Sequence, residues 1–212
     1  MNRLFRLALL VLPAMALSGS CEDDGEILAA YRQDLAEVVT DGAGAAAELR
    51  LDDGTRFSFA RRRKGYVRDT VYRMRALYTL QDGGTADVSA LVPVLSPLPR
   101  IYAPQAVRTD PVGVSALWRG GRYVNFRLDV KTAGGVHYFG FIDRGCRQNA
   151  AGDLTQQVEL LHDQNADPLY YTREVWLSCP LFGFAESLRS GQDSVEVAVT
   201  TFSGQTKCSF LY

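Results

Sequence analysis

The sequence predicts an all-β protein, a small β-barrel followed by an antiparallel β-sandwich. Three observations support this prediction. After residue 40 the hydrophobic residues recur with a period of two almost throughout, and no segment shows a convincing helical stripe. Strand-length segments are bounded by glycine, asparagine and aspartate, which favour turns. A segment that contains Pro93, Pro97, Pro99 and Pro104 divides the chain, since proline is not tolerated in a central strand.

The first domain is predicted over residues 35–103. In the segment "AAELRLDDGTRFSFA", Ala47, Leu49 and Leu51 alternate with polar residues, and "DDGT" supplies the turn of a hairpin. The alternation continues in "VYRMRALYTL", stops at "DGG" and resumes in "VSALVPVL". About four or five strands fit this pattern, and that number suits a small barrel.

The second domain is predicted over residues 104–212. Gly120 and Gly121 predict the turn of a hairpin, and "TAGG" predicts a second hairpin that leads into "VHYFGFID". The remaining segments of strand length are "LTQQVELLH", "YTREVWLSC", "DSVEVAVTTF" and "KCSFLY". About seven strands in about 105 residues match the spacing of a β-sandwich.

The first residues predict a cleaved signal peptide over residues 1–20. Arg3 and Arg6 precede an apolar run, "LALLVLPAMAL", that is too short to span a bilayer. Small residues directly precede Cys21, where lipoprotein signal peptides are cut and the cysteine receives the lipid. A cut after "AMA" is the alternative, and it leaves Cys21 as an exposed free thiol, which is a liability in an oxidising compartment. Residues 21–34 are predicted to form an acidic linker and lead-in.

Three further cysteines, Cys146, Cys179 and Cys208, are spaced too widely for a zinc motif, because no CxxC occurs. Their odd number allows at most one disulfide. The sequence cannot fix the pairing. We favour Cys146 with Cys208, and three unpaired structural thiols are an equally good alternative.

Several long segments carry a family resemblance: "LDDGTRF", "LWRGGRYVNFRLDV", "GGVHYFGFID", "ELLHDQNADPLYYTREVWLSCPL" and "DSVEVAVTTFSG". Through them the chain resembles the NigD-like family of Bacteroidetes lipoproteins over nearly its whole mature length. The resemblance implies an N-terminal OB-fold-like domain, a C-terminal β-sandwich and a lipid tether, and a role in bacteriocin immunity that is itself only proposed. "EDD" after Cys21 resembles the acidic signal of lipoproteins on the outer face of the outer membrane, although a solvated linker explains the same residues.

The sequence favours a protein that is not an enzyme and holds no cofactor. It contains two histidines, and no GxSxG, HExxH, Walker or GxGxxG motif occurs. His137 shares a strand face with Phe139 and Phe141, so it is predicted to be a core residue with satisfied hydrogen bonds. No nucleophile can be paired with a base.

A basic run, "RRRK" at residues 61–64, lies in the predicted barrel, and OB-like barrels often bind single-stranded nucleic acid. The net charge of −1 lacks the basic excess of such binders, and an exported protein meets little nucleic acid. We therefore expect no nucleic acid partner. A solvated loop is the favoured interpretation of this run, and contact with an anionic envelope glycolipid is the alternative.

The segment "HDQNADPLYYTRE" contains a spacing of oxygen ligands that resembles a calcium loop. Asp163, Asn165, Asp167 and Glu174 match the first, third, fifth and last ligand positions of an EF-hand. Pro168, however, stands where the glycine of the sharp turn belongs, and its backbone cannot adopt a positive φ. We therefore expect a polar strand connection and no metal, with calcium as the minor alternative.

Three aromatic residues are candidate ligand contacts. Trp118 ends the apolar run "VSALW", which favours a buried tryptophan, and stacking on a sugar is the alternative. Tyr170 and Tyr171 border a polar loop and are better candidates for an exposed platform. The sequence thus predicts a non-catalytic binding module of the cell envelope, bound to the membrane by lipid on Cys21. It has an unknown protein partner, as in bacteriocin immunity, or is a glycan-binding accessory lipoprotein of a polysaccharide-utilisation system.

Overall fold

The computed structural model describes residues 30–212 and confirms the all-β class. Five strands of the first domain close into a barrel in the order β1-β2-β3-β5-β4, and β4 pairs back onto β1. The predicted signal peptide and Cys21 lie outside the described residues. The strands are β1 (Arg32–Thr40), β2 (Ala45–Leu51), β3 (Arg56–Lys64), β4 (Val71–Gln81) and β5 (Thr85–Pro93).

The first strand begins within the predicted lead-in. Arg32 and Gln33 already belong to β1, because they pair with Tyr78 and Leu77 of β4 and so help to close the barrel. The basic run is also not the loop that was expected, since it forms the end of β3. There its exposed arginines form ion pairs, Arg61 with Asp87 and Arg62 with Asp41.

Seven strands form the second domain, as predicted, in two sheets with the orders β10-β7-β6 and β12-β11-β9-β8. Most neighbours are antiparallel, but β9 and β11 run parallel. The strands are β6 (Gly113–Gly120), β7 (Tyr123–Thr132), β8 (Tyr138–Gln148), β9 (Leu154–Asp163), β10 (Tyr171–Pro180), β11 (Ser194–Thr201) and β12 (Gly204–Leu211). Short 3-10 helices occur at Pro104–Ala106 and Phe182–Phe184. Within residues 30–212, no helix is long and apolar enough to span a bilayer.

The alternation along β7 positions the sandwich core. Val124, Phe126, Leu128 and Val130 all lie on the inner face and are fully buried, as the period of two predicts. Phe126 packs on Phe141 of the facing sheet, with ring centroids 5.3 Å apart. The residues that alternate with these four along β7, such as Asn125, therefore point outward from the three-stranded sheet.

One predicted hairpin is correct and one is wrong. Gly120 and Gly121 join β6 to β7 within one sheet. The "TAGG" segment instead crosses from β7 in one sheet to β8 in the other, and residues 164–170 cross back from β9 to β10. Sequence alternation identifies strands, but it does not show which sheet each strand joins.

The segment between the domains is built into the sandwich. It contributes isolated bridges to four strands: Leu95 to Leu177, Arg100 to Ile142, Thr109 to His162 and Val112 to Thr201. These hydrogen-bonded bridges mean that the proline-rich segment is a strap across the sheets and not a free linker.

Cys146, Cys179 and Cys208 are unpaired, so the favoured disulfide is wrong and the alternative of three thiols is correct. Cys146 lies on β8 and Cys208 on β12, at opposite edges of one sheet. Three strand spacings separate them, about 14 Å, against a limit of about 7 Å between the Cα atoms of a disulfide. Cys179 is fully buried, and burial raises the pKa of its thiol.

Candidate functional site

A buried polar cluster centred on Arg73 of β4 joins the two domains. The guanidinium donates from Nη1 to Asp52 Oδ1 at 2.6 Å and from Nη2 to Asp52 Oδ2 at 2.8 Å. Across the interface its Nε donates to Ser178 Oγ at 3.0 Å, and Nη2 also donates to Asn125 Oδ1 at 2.9 Å. These four residues are called the Arg73 cluster. Only 3% of the Arg73 side chain is exposed, so its charge depends on these partners.

The sandwich half of the cluster comes from the outer face of the three-stranded sheet. Asn125 and Ser178 are paired neighbours on β7 and β10, and each alternates with residues that enter the core. Ser178 Oγ donates to Asn125 Oδ1 at 2.7 Å, and Asn125 Nδ2 donates to Asp52 Oδ2 at 2.9 Å. Every member therefore bonds to at least two others, which fixes how the barrel docks on this face.

A second set of contacts extends the interface around Tyr123. Its ring centroid lies 4.0 Å from Arg73 Cζ, and its hydroxyl donates to Glu37 Oε1 at 2.7 Å. Arg122 Nε donates to the same oxygen at 2.7 Å. Burial opposes ionisation of Glu37, but the hydrogen bonds from Tyr123 and Arg122 outweigh it and lower the pKa of Glu37. Burial, with the bond to Glu37, raises the pKa of Tyr123 to about 12, so the tyrosine stays neutral and donates.

The turn between β6 and β7 must be made of glycine. A Cβ on Gly121, which has a φ of +54°, would lie 2.5 Å from the carbonyl oxygen of Asp52. A Cβ on Gly120 would lie 2.2 Å from Asp52 Oδ2. Both contacts are shorter than any Cβ tolerates. The "GG" of the sandwich thus allows the "LDD" turn of the barrel to approach the interface.

An open cleft of about 490 Å³ lies beside the Arg73 cluster, with walls from both domains. It is called the tryptophan cleft, and the lining residues that matter here are Gln33, Asp34, Asp53 and Arg75 from the barrel and Trp118 and Trp176 from the sandwich. Its position between domains is typical of ligand sites.

The two tryptophans are half-buried and belong to the outer face of the three-stranded sheet. The neighbouring Leu177 faces the core, so Trp176 must face outward. The indole rings meet edge to face, with centroids 6.0 Å apart and an interplanar angle of 84°. The expectation that Trp118 is buried in the sandwich core is therefore wrong. The apolar residues Val114 and Leu117 pack against the core, whereas Trp118 lies on the opposite face of β6.

The charged groups near Trp176 are of both signs. Arg75 Cζ lies 5.1 Å from the centroid of the indole ring, and the indole Nε1 donates to Glu174 Oε1 at 2.6 Å. Arg75 Nη1 is 3.7 Å from the same oxygen, which is longer than a hydrogen bond. The guanidinium thus keeps N–H groups that Glu174 does not use.

A second buried polar cluster lies at the end of the sandwich where β9 and β10 are connected. His162 Nδ1 bonds to the carbonyl oxygen of Asp110 at 2.9 Å, and His162 Nε2 lies 2.9 Å from His137 Nδ1. His137 Nε2 lies 3.0 Å from Asp167 Oδ2. These four residues are called the histidine chain.

The acceptors at its two ends determine where the protons lie. A carbonyl only accepts, so His162 Nδ1 carries a proton and His162 Nε2 accepts from His137 Nδ1. His137 Nε2 then faces the Asp167 carboxylate, which also only accepts when it is ionised. Burial is the main cause that lowers the pKa of His162, which stays neutral beside His137.

Asp167 ties the histidine chain to the crossing between β7 and β8. Its Oδ2 accepts hydrogen bonds from the Thr132 hydroxyl and from the Ala133 backbone N–H, the latter at 2.9 Å. The bond from Thr132, with those from His137 and the backbone, lowers the pKa of Asp167 to about 2. The side chain of His137 has no exposed surface, so it is the satisfied core residue that the sequence predicts. This enclosed arrangement holds two loops together.

The structure does not bring the four candidate calcium ligands together. Asp163 ends β9 and accepts the backbone N–H of Asn165 at 2.8 Å, as in an ordinary polar turn. Asp167 is bonded within the histidine chain. Glu174 lies along β10 and bonds to Trp176 at the cleft. Their oxygens therefore do not converge on one point, and within residues 30–212 no cluster of three acidic, histidine or cysteine residues is placed to hold a metal.

The two predicted platform tyrosines are exposed, as expected. Tyr170 is 84% exposed and Tyr171 is 46% exposed. Val136, Tyr138 and Leu169 are also exposed and lie in, or directly beside, the same two connections between the sheets, and the five residues are called the loop patch. The patch is separate from the tryptophan cleft, so Trp118 and the tyrosines do not form one surface.

Residues 98–212 match the family model described as the NigD-like C-terminal beta sandwich domain. The chain belongs to the NigD-like family. This confirms the resemblance carried by its long motifs. No curated protein is significantly similar to the chain.

Solved structures share the fold of this NigD-like chain over both domains. A NigD-like immunity protein from Bacteroides caccae is 25% identical, and the match covers 84% of this chain and 91% of that one with a TM-score of 0.66. A protein from Parabacteroides distasonis, proposed to be toxin-related, is 20% identical, with coverage of 86% and 93% and a TM-score of 0.68. A proposed lipoprotein from Bacteroides fragilis is 10% identical, with coverage of 85% and 96% and a TM-score of 0.59. The last two show the fold alone.

Sequence reasoning missed Arg73, Asn125, Ser178 and Trp176 as site residues of this NigD-like chain. A signal was nevertheless present, because most of them lie within the motifs that carry the family resemblance. Asp52 belongs to "LDDGTRF", Asn125 to "LWRGGRYVNFRLDV", and Trp176 and Ser178 to "REVWLSC". Those three motifs meet at the domain interface and beside the cleft.

Proposed function

We propose that this NigD-like protein is a lipid-anchored, non-catalytic binding protein of the cell envelope, and that the tryptophan cleft is its ligand site. The observation that carries the proposal is the pair of half-buried tryptophans that line an open cleft between the domains. Ligand sites favour domain interfaces and combine aromatic walls with a few polar groups. The Arg73 cluster supports this role because it holds both walls in place without ligand.

The absence of catalysis in this proposal is supported by where the histidines lie. Both side chains are enclosed in the histidine chain and neither lines the cleft. The groups that do line it are carboxylates, an amide, guanidinium groups and indoles. Within residues 30–212 this set offers hydrogen bonds and stacking, which are the means of recognition.

The proposed anchorage rests on the N-terminal sequence, where small residues precede Cys21. We propose that the lipid holds the protein in the outer membrane, exposed at the surface. Cys21→Ala should move the protein from the membrane fraction to the soluble fraction, and Cys146→Ala, which changes an exposed thiol, should leave it in the membrane. A Cys21→Ala protein that still pellets with membranes would sink the lipid anchor.

Bacteriocin immunity is a second candidate function. It is supported by the similarity to the NigD-like immunity protein from Bacteroides caccae and by the loop patch, whose apolar side chains suit a protein partner. If immunity is the function, deleting the gene should sensitise cells to a bacteriocin encoded beside it, and Tyr170→Ala should weaken protection more than Trp176→Ala. The reverse order would favour the cleft.

Intrinsic fluorescence tests the cleft directly, because the sequence contains only two tryptophans and both line it. We expect a saturable change in emission with at least one member of a panel of neutral oligosaccharides, hexalysine and hexaglutamate. Trp176→Phe should reduce the change, whereas Tyr170→Phe should leave it intact. If every member of the panel leaves the emission unchanged, the cleft is not the ligand site.

A further inference from the structure

We propose that the ligand of the tryptophan cleft is a neutral carbohydrate, an inference that rests on the proposed function of the cleft. The walls supply the first reason. Trp118 and Trp176 stand nearly perpendicular, at 84°, and both are half-exposed. An indole face is electron-rich, so it attracts the C–H groups on the flat side of a sugar ring, whose hydrogens carry partial positive charge. Two rings at a right angle present aromatic surface in two directions to a ligand in the cleft.

Two carboxylates of the cleft, those of Asp34 and Asp53, supply the second reason, because they can accept hydrogen bonds from a ligand. Asp34 accepts the Tyr78 hydroxyl through Oδ2 at 2.8 Å. Asp53 accepts the backbone N–H of Thr55 through Oδ1 at 2.8 Å. Asp34 Oδ1 thus remains as an acceptor, and Asp53, which is held by Thr55, is solvent-facing enough to accept from a ligand as well. Asp52, in contrast, is occupied by Arg73 and Asn125.

Donors lie in the same cleft. Arg75 keeps N–H groups that its distant contact with Glu174 does not use, and Gln33 can both donate and accept. Arg119 is less available, since it donates to the carbonyl oxygens of Leu211 and Gly121. A ligand group that both donates and accepts fits such a mixed lining, and the sugar hydroxyl is that group.

The balance of charge disfavours ionic ligands. A phosphate or a polyanion would face the carboxylates of Asp34 and Asp53, and a cationic peptide would face the guanidinium of Arg75. A neutral polyhydroxyl ligand avoids both repulsions. The volume of about 490 Å³ lies within the ordinary range of small-ligand sites, and the cleft is open, so a longer glycan can continue beyond it.

The experiment is a glycan array probed with the labelled protein, followed by fluorescence titration of the best oligosaccharide and of hexalysine. We expect array signals from neutral glycans, a saturable change in emission, and at least a tenfold rise in Kd for Trp118→Ala and for Trp176→Ala. Asp34→Ala should weaken binding less, because it removes one acceptor. Tyr170→Ala, an exposed aromatic outside the cleft, is the matched control and should bind as the parent does. The melting temperature of each variant shows that it is folded.

Three results would overturn the inference, and each has a different consequence for the proposed function of the cleft. If the array gives no signal above the Trp118→Ala, Trp176→Ala double variant while hexalysine changes the emission, the cleft is a ligand site but not for carbohydrate. If neither the array nor any peptide responds, the proposed function fails as well. Glycan binding that survives both tryptophan substitutions and is lost in Tyr170→Ala would place the sugar on the loop patch.

Discussion

Two buried polar clusters in this protein solve similar problems with different consequences. The Arg73 cluster joins two domains across the outer face of a sheet, and the histidine chain joins two loops at the end of the sandwich. Both are fully paired, as buried polar groups must be. The Arg73 cluster, however, borders an open cleft, whereas the histidine side chains have almost no exposed surface.

The difference lies in what each polar network borders. A satisfied network mainly specifies geometry, because leaving one member unpaired costs more than the pairing gains. The histidine chain fixes only the geometry of the two loops that it joins. In the Arg73 cluster the same rigidity fixes how the two domains that line the tryptophan cleft are held, and so preorganises the proposed ligand site.

Removing Arg73 should lower the stability of the protein more than any other substitution considered below. Arg73→Met leaves Asp52 and Asn125 without their buried donor, and we expect a loss of about 3–5 kcal/mol in the free energy of unfolding. Arg75→Met, two residues along β4, removes a half-exposed guanidinium and should cost below about 1 kcal/mol. Urea unfolding measures both. Equal losses for the two variants would show that the buried cluster does not hold the domains.

Breaking the histidine chain should have a smaller effect, confined to stability. His137→Phe keeps a ring in the site but leaves His162 Nε2 without a partner and removes one of the hydrogen bonds to Asp167, and we expect a loss of about 1–3 kcal/mol. Tyr138→Phe, at an exposed neighbouring position, is the control and should be near neutral. Emission from the cleft tryptophans should not change in His137→Phe. A changed emission would mean that the two clusters are coupled.

The pH dependence of stability should separate the histidine chain from the interface contacts around Tyr123 by a smaller margin. The pKa of His162 lies below its ordinary value of 6.5, mainly because of burial, and the pKa of Glu37 lies below its ordinary value of 4.5. In both cases the unfolded chain binds protons that the folded chain does not, so each contribution is present above the unfolded pKa and is lost as the pH falls. The His162 contribution therefore begins to disappear below pH 6.5, and that of Glu37 only below 4.5.

Urea unfolding at pH 7.5 and pH 5.5, roughly one unit either side of the ordinary histidine pKa, measures this window. We expect the parent protein to lose stability on acidification and His162→Gln to lose less, since glutamine does not titrate. An identical loss in both proteins would remove His162 as the cause.

How far the sequence determines this structure can be judged on single strands. The period of two in β7 correctly assigned Phe126 and Leu128 to the core, because burial on one face leaves a local pattern. The same pattern places Asn125 on the outer face of β7 but indicates no role for it. Its role depends on Arg73, which is distant in sequence, and no local pattern records such a partner.

The histidine chain and the cleft were beyond local reasoning for related reasons. His137 meets His162 and Asp167 only because the "TAGG" segment and residues 164–170 cross between sheets, where the alternation predicted a hairpin. The apolar residues before Trp118 predict that it is buried in the sandwich core. Trp118 instead lines the cleft, whose opposite wall is formed by the barrel, and the local pattern cannot show that wall. The candidate site forms only where the two domains meet. The sequence indicates it only through the family motifs, several of which contribute residues to that interface.

The most direct test of the central claim is a ¹⁵N–¹H spectrum of the two indole N–H groups during titration with the best oligosaccharide from the array. If the tryptophan cleft is the ligand site, the Trp118 and Trp176 indole signals should both shift with the same Kd, and the backbone signals of Tyr170 and Tyr171 should stay in place. Indole signals that do not move while the tyrosine signals shift would contradict the claim and assign binding to the loop patch.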